Sequence, residues 1–192
     1  MKPFFYSLML LPMLAAAQTP ASYLKIAEPL RFNGQDYYLK WSANAMPGYY
    51  KEEFLPRGES AERFRNMLIM DWVQADISTE QAVQRKIAEL AQLKAAGHHV
   101  GWTVGSGGGE QRLDFLMAVK LNGEPVVEHN FYRYRAASVK DKRGVLLFAA
   151  SRRAYGKTAV ERFIDKLPQE GKAFAAKAQA MPFPKVTLPS AD

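Results

Sequence analysis

The stretch from His98 to Ser151 constrains this chain most, because apolar and polar residues alternate there in runs broken by Gly and Asn. Period-two alternation belongs to strands, whose successive side chains point to opposite faces. His98 to Val104 reads as a first strand and Gly105-Ser106-Gly107-Gly108-Gly109 as a flexible loop. Arg112 to Leu121 reads as a second strand with Leu113, Phe115, Met117, Val119 and Leu121 on one face. The third strand should turn Val127, His129 and Phe131 to the core. A two-residue turn at Asn122-Gly123 would set Phe115 opposite Asn130, whereas a bulged turn over Leu121 to Gly123 aligns the odd-numbered faces. The apolar spacing favours the bulge. After the charged turn from Lys140 to Gly144, Val145 to Ala150 is almost wholly apolar, as a central strand or one covered on both faces requires.

Upstream, Gln18 to Leu30 reads as an extended lead-in, with Pro20 and Pro29 discouraging regular pairing. Asp36 to Trp41 and Tyr49 to Leu55 make a hairpin around the turn residues Asn44 to Gly48. Ser60 is placed to cap a short helix carrying Phe64, Met67 and Leu68, and Leu68 to Val73 is either the tail of that helix or a strand. Ser78 with Gln81 forms a capping box for a helix whose stripe is Val83, Ile87, Leu90 and Lys94, ending before Gly97. Thr158 with Glu161 suggests a second capping box, with Val160, Phe163, Ile164 and Leu167 as a last apolar stripe interrupted by Pro168. Lys172 to Met181 resumes as an alanine-rich helix before a loose tail, Pro182 to Asp192. These elements predict an α+β fold: a single antiparallel sheet, made of the N-terminal hairpin and a three-stranded meander, packed against two or three helices.

Met1 to Ala17 has the form of a secretory signal peptide: Lys2, an apolar run from Phe4 to Leu14, then Ala15-Ala16-Ala17. Nothing downstream approaches the roughly 20 consecutive apolar residues of a membrane helix. The expectation is a periplasmic or secreted protein, a single domain over residues 18–192. The chain contains no cysteine, which excludes disulfides, thiolate nucleophiles, cysteine-ligated metal and a lipid-modified cysteine. A mature chain of this length can bury roughly 70% of its unfolded surface, so one core suffices without cross-links.

The segment Glu53-Phe54-Leu55-Pro56-Arg57-Gly58-Glu59-Ser60, followed by Phe64, resembles a strand-to-helix junction in an uncharacterised family of exported proteobacterial proteins. In that family tryptophan stands where Phe64 does here. The resemblance implies export and an α+β domain; the family carries no established activity.

The chain carries a formal charge of +7, and Arg133, Arg135, Lys140, Lys142, Arg143, Arg152, Arg153 and Lys157 face Asp141 alone between positions 133 and 157. Such a concentration points to an acidic partner: an acidic protein, a lipid head group or a polysaccharide. Ser151-Arg152-Arg153-Ala154-Tyr155-Gly156-Lys157-Thr158 ends like a phosphate-binding P-loop, but Ser151 replaces the first glycine, which such a loop needs to curl around phosphates. What survives is a candidate anion site at a helix start, formed by Arg152, Arg153, Lys157 and Thr158 with Arg133 and Arg135 nearby. Phe131, Tyr132 and Tyr134 interleave with Arg133 and Arg135 as base-stacking residues would, yet export argues against nucleic acid.

No catalytic residue, metal ligand or cofactor is nominated. Ser106 lacks the second glycine of a nucleophile elbow, since Val104 stands there. His98 and His99 are neighbours on a strand and point apart, and three histidines without a fixed helical spacing make no zinc motif. Asp71, Asp76, Glu110 and Asp114 have no spacing that predicts convergence. The preferred function is a noncatalytic binding or interaction protein of the cell envelope, in one form an inhibitor or immunity-type protein. Its rival is a small exported hydrolase using His129 or His99 with a carboxylate from a neighbouring strand.

Overall fold

The computed structural model describes residues 20–139 and 141–188; the expected signal peptide lies outside them, as do Lys140 and the end of the tail. Ten elements follow in order: β1 (Leu30–Phe32), β2 (Gln35–Met46), β3 (Tyr49–Leu55), β4 (Asn66–Val73), α1 (Thr79–Ala95), β5 (His99–Gly107), β6 (Glu110–Leu121), β7 (Glu124–Val139), β8 (Lys142–Tyr155) and α2 (Lys157–Ala180). The strands form one curled sheet in the order β1-β2-β3-β4-β8-β7-β6-β5, antiparallel throughout. Two four-strand meanders meet at its centre. Helix α1 carries the chain from β4 to the far edge, and β5 to β8 return until β8 pairs with β4, with Ile69 opposite Ala149.

This architecture corrects the expectation of a hairpin plus a three-stranded meander: the sheet has eight strands and, among the described residues, two helices. The Ser60 helix is absent. The Arg63 amide is shared between Ser60 Oγ at 3.3 Å and the Ser60 carbonyl at 3.2 Å, a single turn, and the chain then enters β4 directly. Residues Met67 to Trp72 are all buried, so β4 has no polar face to betray its period. At three residues, β1 is too short for any periodic signal.

The turn between β6 and β7 is also corrected. Leu121 pairs with Glu124 around a two-residue turn at Asn122 (φ 50°) and Gly123 (φ 84°), and Phe115 stands opposite Asn130. Paired positive φ values match the twist of the flanking strands, which is why Asn-Gly favours this turn. The bulge would have served a single core face on β7, but Val126 to Phe131 are buried without a break, so β7 has no single core face for the register to align.

Each face of the sheet holds its own core. On one, Phe54, Leu68, Met70, Trp72, Phe131, Leu146 and Phe148 pack with Phe174 and Ala178 of α2. On the other, Met67, Ile69, Leu113, Phe115, Leu147 and Ala149 pack with Val83 and Leu90 of α1. The Ser78 capping box of α1 forms as expected, Ser78 Oγ accepting from the Gln81 amide and Gln81 Oε1 from the Ser78 amide.

The second helix departs from expectation in three ways. Its N-cap is Gly156 rather than Thr158, it runs unbroken through Pro168, and its buried positions are Gly171, Phe174 and Ala178 while Ile164 is exposed. Pro168 lies on the exposed side, where the carbonyl left without a donor can meet water, so the helix survives it. Nor is the start of the tail loose. Leu188 is buried, Phe183 and Val186 pack on the α2-side core, and the Thr187 amide donates to the Leu24 carbonyl at 2.9 Å.

Candidate functional site

The junction nominated from the sequence does not form as a loop: Arg152 and Arg153 lie inside β8, and only Lys157 and Thr158 open α2. Strand alternation sends the two arginines to opposite faces. Arg152 points toward α2, with its guanidinium 4.7 Å from the Phe163 ring centroid and 5.2 Å from that of Phe174. Arg153 lies on the other face, 3.9 Å from the Phe64 ring centroid and paired with Glu128. Lys157 and Thr158 are exposed on the first turn of α2. These four therefore do not converge on one ligand.

Arg133 is buried on the α2 side. It makes a two-pronged pair with Glu110, Nε and one Nη each at 2.8 Å, and its other Nη donates to the carbonyls of Ala178 (3.0 Å) and Met181. These bonds fasten the C-terminal end of α2 to the sheet. Arg133 and Arg135 both lie over the ring of Phe183, at 4.6 and 4.2 Å from its centroid. Arg135 has no carboxylate within 4.0 Å among the described residues, so its charge is not cancelled locally.

The histidine reading receives a partner and then loses its chemistry. His129, on β7, is buried, and its Nε2 lies 2.7 Å from Asp114 of β6. The Arg152 Nε, which can only donate, is 3.3 Å from His129 Nδ1. The tautomer that satisfies both contacts carries its proton on Nε2 and gives it to Asp114, leaving no free lone pair for a base or a metal. His99 is exposed at the edge strand, apart from this pair. Among the described residues, no group of three or more metal-ligating side chains occurs.

A second cluster, invisible as a motif, lies on the α1 side. Lys51 pairs with Glu53 at 3.1 Å, Tyr49 donates to Asp71 Oδ2 at 3.1 Å, and Asp71 Oδ1 is buried without a partner. Burial raises the Asp71 carboxyl above the ordinary carboxylate range, although Lys51 and Tyr49 oppose the shift. Between its ordinary and its shifted value the folded chain holds a proton that the unfolded chain has released, so stability falls as pH rises through that window. Asp71→Asn should therefore flatten the pH dependence of the urea midpoint above the ordinary carboxylate range. An unchanged pH profile would remove Asp71 from the explanation.

A groove lies elsewhere, where the lead-in around residues 25–31 meets residues 181–187 of the tail. Its volume is about 460 Å³, and it is lined by Ile26, Pro29, Leu30, Met181, Phe183 and neighbouring residues of the lead-in and tail. Glu52, wholly buried, accepts the Leu24 amide at 2.8 Å, while the Leu24 carbonyl takes the Thr187 amide. One wall is thus anchored to β3 and the other to that wall. Lys25, Arg31 and Lys185 line the groove, and among the described residues no carboxylate does. Arg31 is only loosely matched by Asp36, at 3.8 Å on an exposed surface. Lys25 stands in left-handed backbone at φ 51°, a conformation that side-chain-bearing residues seldom adopt.

The arginine pair Arg133 and Arg135 reaches this groove indirectly, through Phe183. Lys25, Lys185 and Glu52 carry no sequence signal, because the two lysines are far apart in the chain and Glu52 reads as an ordinary polar strand residue. No curated protein and no solved structure matches the chain. A family model matches residues 24–183, from the first buried residue of the lead-in to the aromatic ring of the groove. The chain therefore belongs to this uncharacterised protein family.

Proposed function

We propose that this protein is a noncatalytic binding protein of the cell envelope that recognises an acidic partner through the groove between its lead-in and tail. An acidic protein, a lipid head group and a polysaccharide all belong to that class, and an inhibitor or immunity-type role is one form of it. The observation that carries the reading is the positive charge of the groove: Lys25, Arg31 and Lys185 line it with no carboxylate among its described lining residues, Arg31 being only loosely matched by Asp36 outside the groove, and Arg135 stands behind Phe183. The buried Arg133 and the half-buried Arg152 and Arg153 are spoken for, since Glu110, Glu170 and Glu128 engage them in turn. A periplasmic or secreted location and kinship with exported proteobacterial proteins are part of the same proposal. They rest on the form of Met1 to Ala17 and the resemblance around Glu53 to Phe64.

The test is retention on immobilised polyglutamate, a sulfated polysaccharide and anionic phospholipid vesicles, with increasing salt. Retention should fall with ionic strength, as screening of exposed charges requires. Lys25→Glu with Lys185→Glu should abolish retention on whichever surface binds the parent chain, while Lys157→Glu leaves it intact. If the groove pair has no effect, or no acidic surface retains the chain at low salt, the reading is wrong.

A further inference from the structure

The groove's lining says more than its charge. Its cations are Lys25, Arg31 and Lys185; apart from these and Thr187, its side chains are apolar, and three of them are prolines, Pro29, Pro182 and Pro184. Proline has no backbone N–H, so these walls are poor in donors. A polysaccharide placed there would leave hydroxyls without partners, at a cost that burial makes severe. A folded acidic protein needs roughly 800 Å² of matching surface on each side, which a concave groove does not offer by itself. A volume of about 460 Å³ suits a small ligand, since such sites run from roughly 300 to 1,000 Å³.

We infer that the groove binds a monomeric single-chain amphiphilic acid, its anionic head among Lys25, Arg31 and Lys185 and its acyl chain against Phe183, Met181 and the prolines. This rests on the acidic-partner reading and narrows it to one ligand class. Phe183 is the centre of the apolar part. Arg133 and Arg135 hold its ring from one side, and the ring also meets Phe148 with centroids 6.2 Å apart. The two guanidinium groups behind the ring keep the potential there positive, and only Arg133 has a carboxylate partner among the described residues. Head and tail requirements are thus met by different residues, which lets them be removed separately.

The experiment is calorimetric titration of the full chain with dodecanoate below its micelle concentration, beside dodecanol, acetate and soluble polyglutamate. Dodecanoate should bind, with dodecanol and acetate each at least roughly tenfold weaker, because each lacks one half of the recognition. Lys25→Gln with Lys185→Gln should weaken dodecanoate roughly tenfold, as the loss of two rim charges implies, and leave dodecanol unchanged. Phe183→Ala should weaken both acyl ligands; Phe183→Leu, which keeps the tail packed, should retain dodecanoate binding and so separate misfolding from loss of the site. If polyglutamate binds in a Lys25- and Lys185-dependent way and dodecanoate does not, the amphiphile inference fails while the acidic-partner reading stands. If neither binds, the amphiphile inference fails, and the acidic-partner reading fails with it unless the sulfated polysaccharide or the anionic vesicles retain the chain. Equal dodecanoate affinity in the lysine variant and the parent would place binding outside the groove and overturn the inference.

Discussion

Replacing Glu110 with alanine should lower the unfolding free energy by about 3 kcal/mol, because it strands a buried guanidinium without its carboxylate. Arg133 is 5% exposed, and Glu110 supplies both of its charge-assisted bonds at 2.8 Å. Losses of roughly 3 to 5 kcal/mol are usual when one member of a buried pair is removed. The lower end applies here because the Ala178 and Met181 carbonyls still accept from Arg133. Urea unfolding measures the loss. Glu110→Leu combined with Arg133→Met should recover most of it, since neither charge then remains buried, although the end of α2 loses its tether. Amide exchange in residues 181–188 should accordingly rise in the double variant even where the midpoint recovers. A loss below about 1 kcal/mol for Glu110→Ala would mean that the pair is solvated like a surface ion pair.

Gly144→Ala is expected to cost about 3 kcal/mol, the upper part of the usual range for overpacking. A Cβ at this position would collide with the Val73 carbonyl oxygen and come within 3.0 Å of two ring atoms of the wholly buried Trp72. The obstacle on one side is backbone, in the central β4–β8 pair, so neither strand can yield without disturbing the ladder that joins the two meanders. Gly123→Ala is the informative control. Its φ of 84° strains any other residue, but its Cβ would meet open space. A cost of roughly 1 kcal/mol follows from the backbone conformation alone. Thermal or urea midpoints should therefore rank Gly144→Ala well below Gly123→Ala, and the reverse order would show that the strands separate more easily than their packing implies.

The contrast between these glycines runs through the whole fold. Asn122-Gly123 was legible as a two-residue turn, because its chemistry is local, but the apolar pattern of β7 argued against it. A pattern argument assumes that one face of a strand is wet. On β7, α1 and α2 cover opposite faces, so Glu128, His129 and Asn130 are buried beside Val127 and Phe131. Burial of both faces likewise hides β4, whose apolar run is open to a helical reading. Helix α1 is legible from its cap to its end because only one side of it packs and the capping box is a contact within four residues. Helix α2 reads as two helices in the sequence because Pro168 breaks helices when its carbonyl partner is buried, and here that carbonyl lies on the exposed side.

The candidate site divides along the same line. Arg133 and Arg135 were named for their charge, and both prove to stand behind the groove, on Phe183. Arg152 and Arg153, adjacent in sequence, were expected to act together; on a strand they part to opposite faces, and each finds a carboxylate. Asp114 was without an assigned partner until antiparallel pairing brought β6 beside β7 and His129 within 2.7 Å.

By itself the sequence determined the alternating strand pattern between His98 and Ser151, though not the number of strands, together with the capped helix, the absence of cysteine chemistry and the excess of positive charge. Each of these is a property of composition or of residues a few positions apart. Tertiary structure alone decided which charges remain unmatched. Pairing is a matter of distance in space: folding buries Arg133 against Glu110 and brings Lys25 and Lys185, far apart in sequence, to one groove with no carboxylate among its described lining residues.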